Sequence, residues 1–163
     1  MSGYRVKYHT YEFDKRDLHV VCLRDTNEFF DPYAAAKKLG INSTLWPIFG
    51  VVWPSGIVLA NFLEGYILKK KRILEVGSGI GLASLAMNQR HMDITATDYH
   101  PEAEVFLERN ARLNSNKVIP FVLANWKDEN RELGKFDLIV GSDLLYEDGH
   151  VEQLSAFIDR HAK

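Results

Sequence analysis

Ile73-Leu74-Glu75-Val76-Gly77-Ser78-Gly79-Ile80-Gly81-Leu82-Ala83-Ser84 passes from a short apolar strand through three glycines into an apolar helix. Such a turn suits a ligand. Glycines adopt backbone conformations that a β-carbon forbids and let a ligand approach the main chain, while the helix beginning there offers unpaired N–H groups. A turn chosen only for tight strand–helix packing is the competing reading. The spacing separates two cofactors. A dinucleotide fingerprint wants glycine or alanine three residues after Gly79, where this chain has Leu82, so GxGxG weakens the case for a pyrophosphate ligand.

Working downstream, Ile94-Thr95-Ala96-Thr97 predicts a second parallel strand ending at Asp98, beside the glycine turn. A carboxylate there can accept from both hydroxyls of a ribose, which serves NAD and S-adenosylmethionine alike. From Arg72 onward the pattern is strand, helix, strand, helix, strand, strand, helix. The predicted segments are 73–76, 82–89, 94–97, 101–113, 118–123, 138–141 and 151–160. This alternation predicts an α/β, Rossmann-like parallel sheet with flanking helices.

Upstream, Tyr4–Phe13 and His19–Leu23 carry aromatic and β-branched residues around the charged turn Asp14-Lys15-Arg16-Asp17, which predicts a hairpin. Asp31-Pro32 opens a short helix through Lys38, with Gly40 as its stop. Ile57, Leu59, Ala60, Leu63, Ile67 and Leu68 recur at near-helical spacing and predict a buried helix. The run Lys69-Lys70-Lys71-Arg72 reads either as a basic patch or, preferably, as a turn that solvates the helix end and complements its dipole. We expect one domain over 1–163, with 1–45 as an N-terminal extension.

The chain has 163 residues and 18.7 kDa, with 20 Lys and Arg against 22 Asp and Glu, a net charge of -2. Its 46% hydrophobic and 26% charged residues exclude disordered and fibrous classes. The near-neutral balance argues against nucleic acid as a partner. Cys22 is the sole cysteine, which excludes an internal disulfide and fits a reducing compartment. No apolar signal core opens the sequence, and the longest apolar stretch, Ile48–Leu63, is broken by Pro54-Ser55-Gly56, so we expect a cytoplasmic protein with no membrane segment. The six histidines show no metal-ligand spacing, most are expected at the surface, and no metal is implied. Ser55 and Ser84 lack a nucleophile-elbow setting.

Four blocks in order are Val52-Trp53-Pro54-Ser55-Gly56, Glu75-Val76-Gly77-Ser78-Gly79-Ile80-Gly81, Ala124-Asn125-Trp126 and Ser142-Asp143-Leu144-Leu145-Tyr146. Together they resemble the seven-stranded, class I S-adenosylmethionine-dependent methyltransferases, and more narrowly the family 16 group that includes many protein-lysine methyltransferases. The resemblance implies that Glu75 faces the methionine portion of the cofactor; a surface ion pair is its alternative. It implies that Gly77, Ser78 and Gly79 form the cofactor loop, that Gly81 permits close helix packing, and that Asp98 and Tyr99 meet the ribose and adenosine. Asn125 stands where the family commonly has Asp, and its side-chain oxygen can still accept from adenine's amino group. Trp53 and Trp126 resemble cofactor-pocket tryptophans, with core packing as the rival explanation. Ser142 closes the binding set.

Asp143 and Tyr146 fit the family's DxxY pattern and are the implied catalytic pair, against loop capping and core anchoring. The implied activity is N-methylation of a protein lysine by S-adenosylmethionine, releasing S-adenosylhomocysteine. A small-molecule amine methyltransferase, an NAD-linked oxidoreductase and an inactive cofactor-binding module remain as alternatives. An Asn-Pro-Pro-Tyr motif, associated with planar nitrogens, is absent, which disfavours a nucleobase target. The family's sheet continues through further strands, so we expect C-terminal strands to be missing here, from truncation or with a second chain completing the edge.

Overall fold

The computed structural model describes residues 5–26, 34–42, 45, 47–66 and 70–163. Its hairpin consists of β1 (Val6–Phe13) and β2 (Arg16–Leu23), paired antiparallel. Arg16 and Asp17 belong to the second strand, opposite Phe13 and Glu12, leaving the two-residue turn Asp14-Lys15. The pairing therefore runs two residues further toward the turn on the second strand than the charge pattern suggests. Tyr4 lies outside the described residues.

Next come α1 (Ala35–Lys38), a 3-10 turn (Ile48–Gly50) and α2 (Pro54–Gly65). Asp31-Pro32, the expected start of α1, also falls outside the described residues. Helix α2 starts earlier than its apolar periodicity suggests, because Pro54 suits a first helical position. Its C-terminal carbonyls are held by Arg90, which donates to Leu63 O and Tyr66 O. Ile67, Leu68 and Lys69 are outside the described residues. Lys71 and Arg72 face Asp137 and Asp93 at 4.0 and 3.7 Å, as a solvated turn would.

The remaining elements are β3 (Arg72–Val76), α3 (Leu82–Gln89), β4 (Asp93–Asp98), α4 (Ala103–Leu113), β5 (Phe121–Leu123), β6 (Leu138–Val140) and α5 (His150–His161). Strand β5 is shorter than expected: Pro120 has no N–H to give a ladder, and Val118 is exposed. The order β5-β4-β3-β6, parallel throughout, places β3 at the centre. After β5 the chain returns across the sheet to β6, so β3 lies at a topological switch point, where α/β sheets open a crevice at their strand C-termini.

Alternation along β3 sorts the core. Ile73 joins the cluster under α2, α3, α4 and the hairpin, while Leu74 and Val76 join Phe136 and Phe157 on the α5 side. The hairpin is therefore packed into the main core, through Leu18, Val20, Cys22 and Leu23. Two asparagines, Asn110 on α4 and Asn114 at its C-cap, bind the hairpin's outer edge. Asn110 accepts from Val21 N at 2.7 Å and donates to Val21 O at 3.1 Å; Asn114 does the same at His19, at 2.8 and 2.6 Å. Four helical residues rise about 6 Å and two strand residues about 6.7 Å, so an i,i+4 amide pair can stand in for a neighbouring strand.

Strand β6 forms the other edge; beside it, Ala162 makes a single parallel bridge to Phe136. Helix α2 also presents Val58 and Phe62 to solvent, with the C-cap residue Tyr66 exposed beside them. Among the described residues no helix is long and apolar enough to cross a membrane.

Candidate functional site

The loops after β3, β4, β5 and β6 converge on one cavity of about 410 Å³. It is lined by every predicted site residue: Trp53, Glu75, Gly77, Ser78, Gly79, Asp98, Tyr99, Asn125, Trp126, Ser142, Asp143 and Tyr146. Its size lies within the roughly 300–1,000 Å³ usual for small-molecule sites.

The glycine turn is built by positive backbone angles, with φ of 60° at Gly77, 53° at Gly79 and 82° at Gly81. A Cβ at Gly79 would lie 2.8 Å from the carbonyl oxygen of Phe49, and one at Gly77 would strike the Leu144 side chain. The clearance these glycines provide thus admits neighbouring protein as well as lining the cavity. Gly81 would meet Leu107 of α4, in keeping with close helix packing. Ser78 N bonds Thr97 O of β4, while its buried Oγ has no hydrogen-bond partner among the described residues.

Glu75 is buried, which excludes the surface ion pair. One of its oxygens accepts from the backbone N–H and hydroxyl of Ser84 in the first turn of α3. Burial pushes its carboxyl up to about 7; the Ser84 bonds oppose this and the Asp98 carboxylate adds to it. Asp98 accepts from Gly79 N at 2.7 Å and His100 N at 2.8 Å. Burial raises its carboxyl above the usual range against those N–H groups. The carboxylate keeps lone-pair capacity for a hydroxyl.

Tyr99 does more than offer a flat face, since its hydroxyl donates to Leu39 O and pins that segment beside the cavity. Trp53 precedes α2 and donates from Nε1 to Ile48 O at 3.1 Å. Asn125 spends one acceptor bond on Lys127 N at 3.0 Å, a local turn. Trp126 both packs on the α5-side core and reaches the cavity. Asp143, at φ 50°, accepts from the hydroxyl of Ser55 near the start of α2. That bond ties the loop after β6 to α2, and Asp143 remains exposed at the cavity mouth. Tyr146 is half-exposed rather than a core anchor. Burial, then the carboxylates of Asp143 and Asp98, push its phenol up to about 12.

Two contributors escaped the sequence. Phe49 and His100 stack at 3.9 Å and 12°, forming one wall of the cavity. They are far apart in the chain and no spacing signals them. The expectation of mostly exposed histidines holds for half of them: His9, His19 and His91 are exposed, whereas His100 and His161 are buried and His150 is partly so. Each of the latter three rings is packed against an aromatic neighbour, respectively Phe49, Phe157 and Trp126.

This architecture is the Rossmann-like fold of the class I methyltransferases. The T. thermophilus 16S rRNA N2 G1207 methyltransferase RsmC, solved with AdoMet and guanosine, superposes with a TM-score of 0.68 at 12% identity, over 98% of this chain and 40% of that one. Residues 36–163 match the lysine methyltransferase family model, and the chain belongs to that family. It is 35% identical to the protein N-lysine methyltransferase METTL21A of Danio rerio, over 68% of this chain and 50% of that protein. It is 29% identical to the electron transfer flavoprotein beta subunit lysine methyltransferase of Mus musculus, over 72% of this chain and 48% of that protein. The chain spans about half the length of these curated relatives.

Proposed function

We propose that this chain binds S-adenosylmethionine and serves as an N-methyltransferase of protein lysine side chains. The observation that carries the reading is a pair of carboxylates, Glu75 buried and Asp98 partly buried, in one cavity at the ends of adjacent parallel strands. Two such groups suit a ligand with a cationic end and a ribose. The partnerless Ser78 Oγ supplies a further polar atom for it. Family membership and the METTL21A relative favour lysine over a small-molecule amine.

When bound, the cofactor supplies an electrophilic methyl group on a sulfonium. The residues of this chain then have to align an amine, exclude water and leave the amine a free lone pair. Lysine ordinarily titrates near ~10.4 and must lose a proton before attack. Tyr146, displaced to about 12, stays a phenol and serves as a hydrogen-bonding guide rather than as a base. Asp143, anchored through Ser55, orients the cationic amine at the mouth. Trp53, Trp126 and Tyr99 give apolar surface, with Gly77, Gly79, Asn125 and Ser142 completing the binding wall.

A single domain over 1–163 belongs to the same proposal, supported by the core shared between hairpin and sheet. So do a cytoplasmic setting, supported by the lone buried Cys22, and independence from nucleic acid, supported by the net charge of -2. A second chain completing the β6 edge is supported by its position at the sheet margin.

Calorimetry with S-adenosylmethionine and NAD tests the reading. Binding of the former alone is expected; NAD binding, or no binding by either, overturns it. A radiolabelled transfer assay on cell protein then separates an enzyme from an inactive binding module.

A further inference from the structure

The loop presenting Asp143 and Tyr146 leaves β6 and enters α5 at His150. One end is tied by Asp143 to Ser55. At the other, the imidazole of His150 turns back over the loop. Its Nδ1 lies 3.3 Å from the backbone nitrogen of Tyr146 and 3.2 Å from the carbonyl oxygen of Leu144. One ring nitrogen cannot serve both at once. It accepts from Tyr146 only when bare, and donates to Leu144 only when it carries a proton.

The surroundings decide between them. His150 Nε2 faces Glu147 Oε2 at 3.6 Å, and a carboxylate beside one ring nitrogen favours the proton on that nitrogen. The ring plane is fixed as well: it meets Trp126 edge-on, with centroids 5.4 Å apart and planes at 76°.

We propose that His150 is the positioning residue for Tyr146: Nε2–H faces Glu147, bare Nδ1 accepts the Tyr146 N–H, and Trp126 holds the ring in that orientation. The proposal rests on the reading of Tyr146 as a guide for the methyl acceptor. It joins the cavity wall after β5 to the loop after β6, so the indole and the phenol sit in one mechanical unit. A small misplacement of such a group is costly, about 10²-fold for 1 Å.

Asparagine and glutamine separate this role from simple packing. Asparagine at 150 puts an acceptor close to where Nδ1 stands, whereas glutamine places its polar group at the level of Nε2 and leaves the Tyr146 N–H unpaired. The test compares the full chain with His150→Ala, His150→Gln and His150→Asn. Amide exchange at Tyr146, read by NMR, needs neither cofactor nor acceptor. It should quicken by about five- to tenfold in the alanine and glutamine variants, and return to within about twofold in the asparagine variant. Methyl transfer should follow the same order, with kcat down roughly 10- to 100-fold in the first two and largely restored in the third, at unchanged S-adenosylmethionine Kd. Equal exchange in all four chains, or equal losses in all three variants, overturns the assignment. The expected exchange pattern with no methyl transfer by the unaltered chain would uphold His150 and reject the methyltransferase reading.

Discussion

Ser84 gives two hydrogen bonds to a single oxygen of Glu75, from its backbone N–H at 2.9 Å and from its hydroxyl. The acid near the end of β3 thereby caps the helix that follows it and closes the glycine turn from inside. Helix N-termini welcome negative charge. Burial opposes that charge, and burial prevails, leaving the carboxyl up at about 7.

A pH dependence follows from that balance. The unfolded carboxyl titrates near its ordinary 4.5 and the folded one at about 7. Below 4.5 both states hold the proton and the stabilisation is complete; between the two values only the folded state holds it, so stability falls as pH rises. The loss amounts to about 3 kcal/mol across the window. Thermal melts of the ligand-free chain should therefore show a higher Tm at pH 5 than at pH 8. Glu75→Gln should flatten part of that slope. Affinity for cationic S-adenosylmethionine should move the opposite way, rising as Glu75 ionises, and calorimetry at the two pH values reads it.

Gly77 and Gly79 share a left-handed backbone but not a neighbour. At Gly79 an added Cβ meets the backbone carbonyl of Phe49, which cannot swing aside; at Gly77 it meets the tip of a leucine that can. Gly79→Ala should cost the larger share of stability, about 2–3 kcal/mol, and Gly77→Ala about 1–2 kcal/mol, from the conformational strain both carry. Urea midpoints check the order. Equal midpoints would show that Phe49 yields.

The glycine turn and α3 were legible because their signals are local: an apolar run, three glycines, then a helix whose observed bounds, Leu82–Gln89, are the expected ones. The strand-end position of Asp98 was legible for the same reason. What stayed hidden was geometry between distant segments. Arg16 and Asp17 look like turn residues until register places them opposite Phe13 and Glu12. The stack of His100 on Phe49 depends on the sheet bringing two loops together. Asn110 reads as an interruption of an amphipathic helix, although it is fully buried.

That asparagine carries the next prediction. Asn110 satisfies both main-chain groups of Val21 and also donates to Ile80 O beside the glycine turn, at 3.2 Å. Asn110→Ala leaves three buried polar groups without it, for about 3 kcal/mol of lost stability. Asn114→Ala, at the more open His19 end, should cost about 1 kcal/mol. Because Asn110 alone of the pair touches the glycine turn, only its loss should also weaken S-adenosylmethionine binding. Denaturation and calorimetry on the two variants measure both effects.

Asp143 and Tyr146 make the sharpest claim on function. Both lie at the cavity with no part in the glycine turn, so Asp143→Ala and Tyr146→Phe should leave S-adenosylmethionine affinity within about threefold while lowering kcat by roughly 10- to 100-fold. Tyr146→Phe removes only a hydroxyl that remains protonated through the working range, so it should reduce the rate without moving the pH profile between about 6 and 10. Asp143→Ala also frees the Ser55 hydroxyl on α2. Ser55→Ala separates that anchoring from direct contact: a loss equal to that of Asp143→Ala would assign Asp143 to holding the loop, and a smaller one would assign it to the amine. Full activity in both Asp143→Ala and Tyr146→Phe would reject the pair.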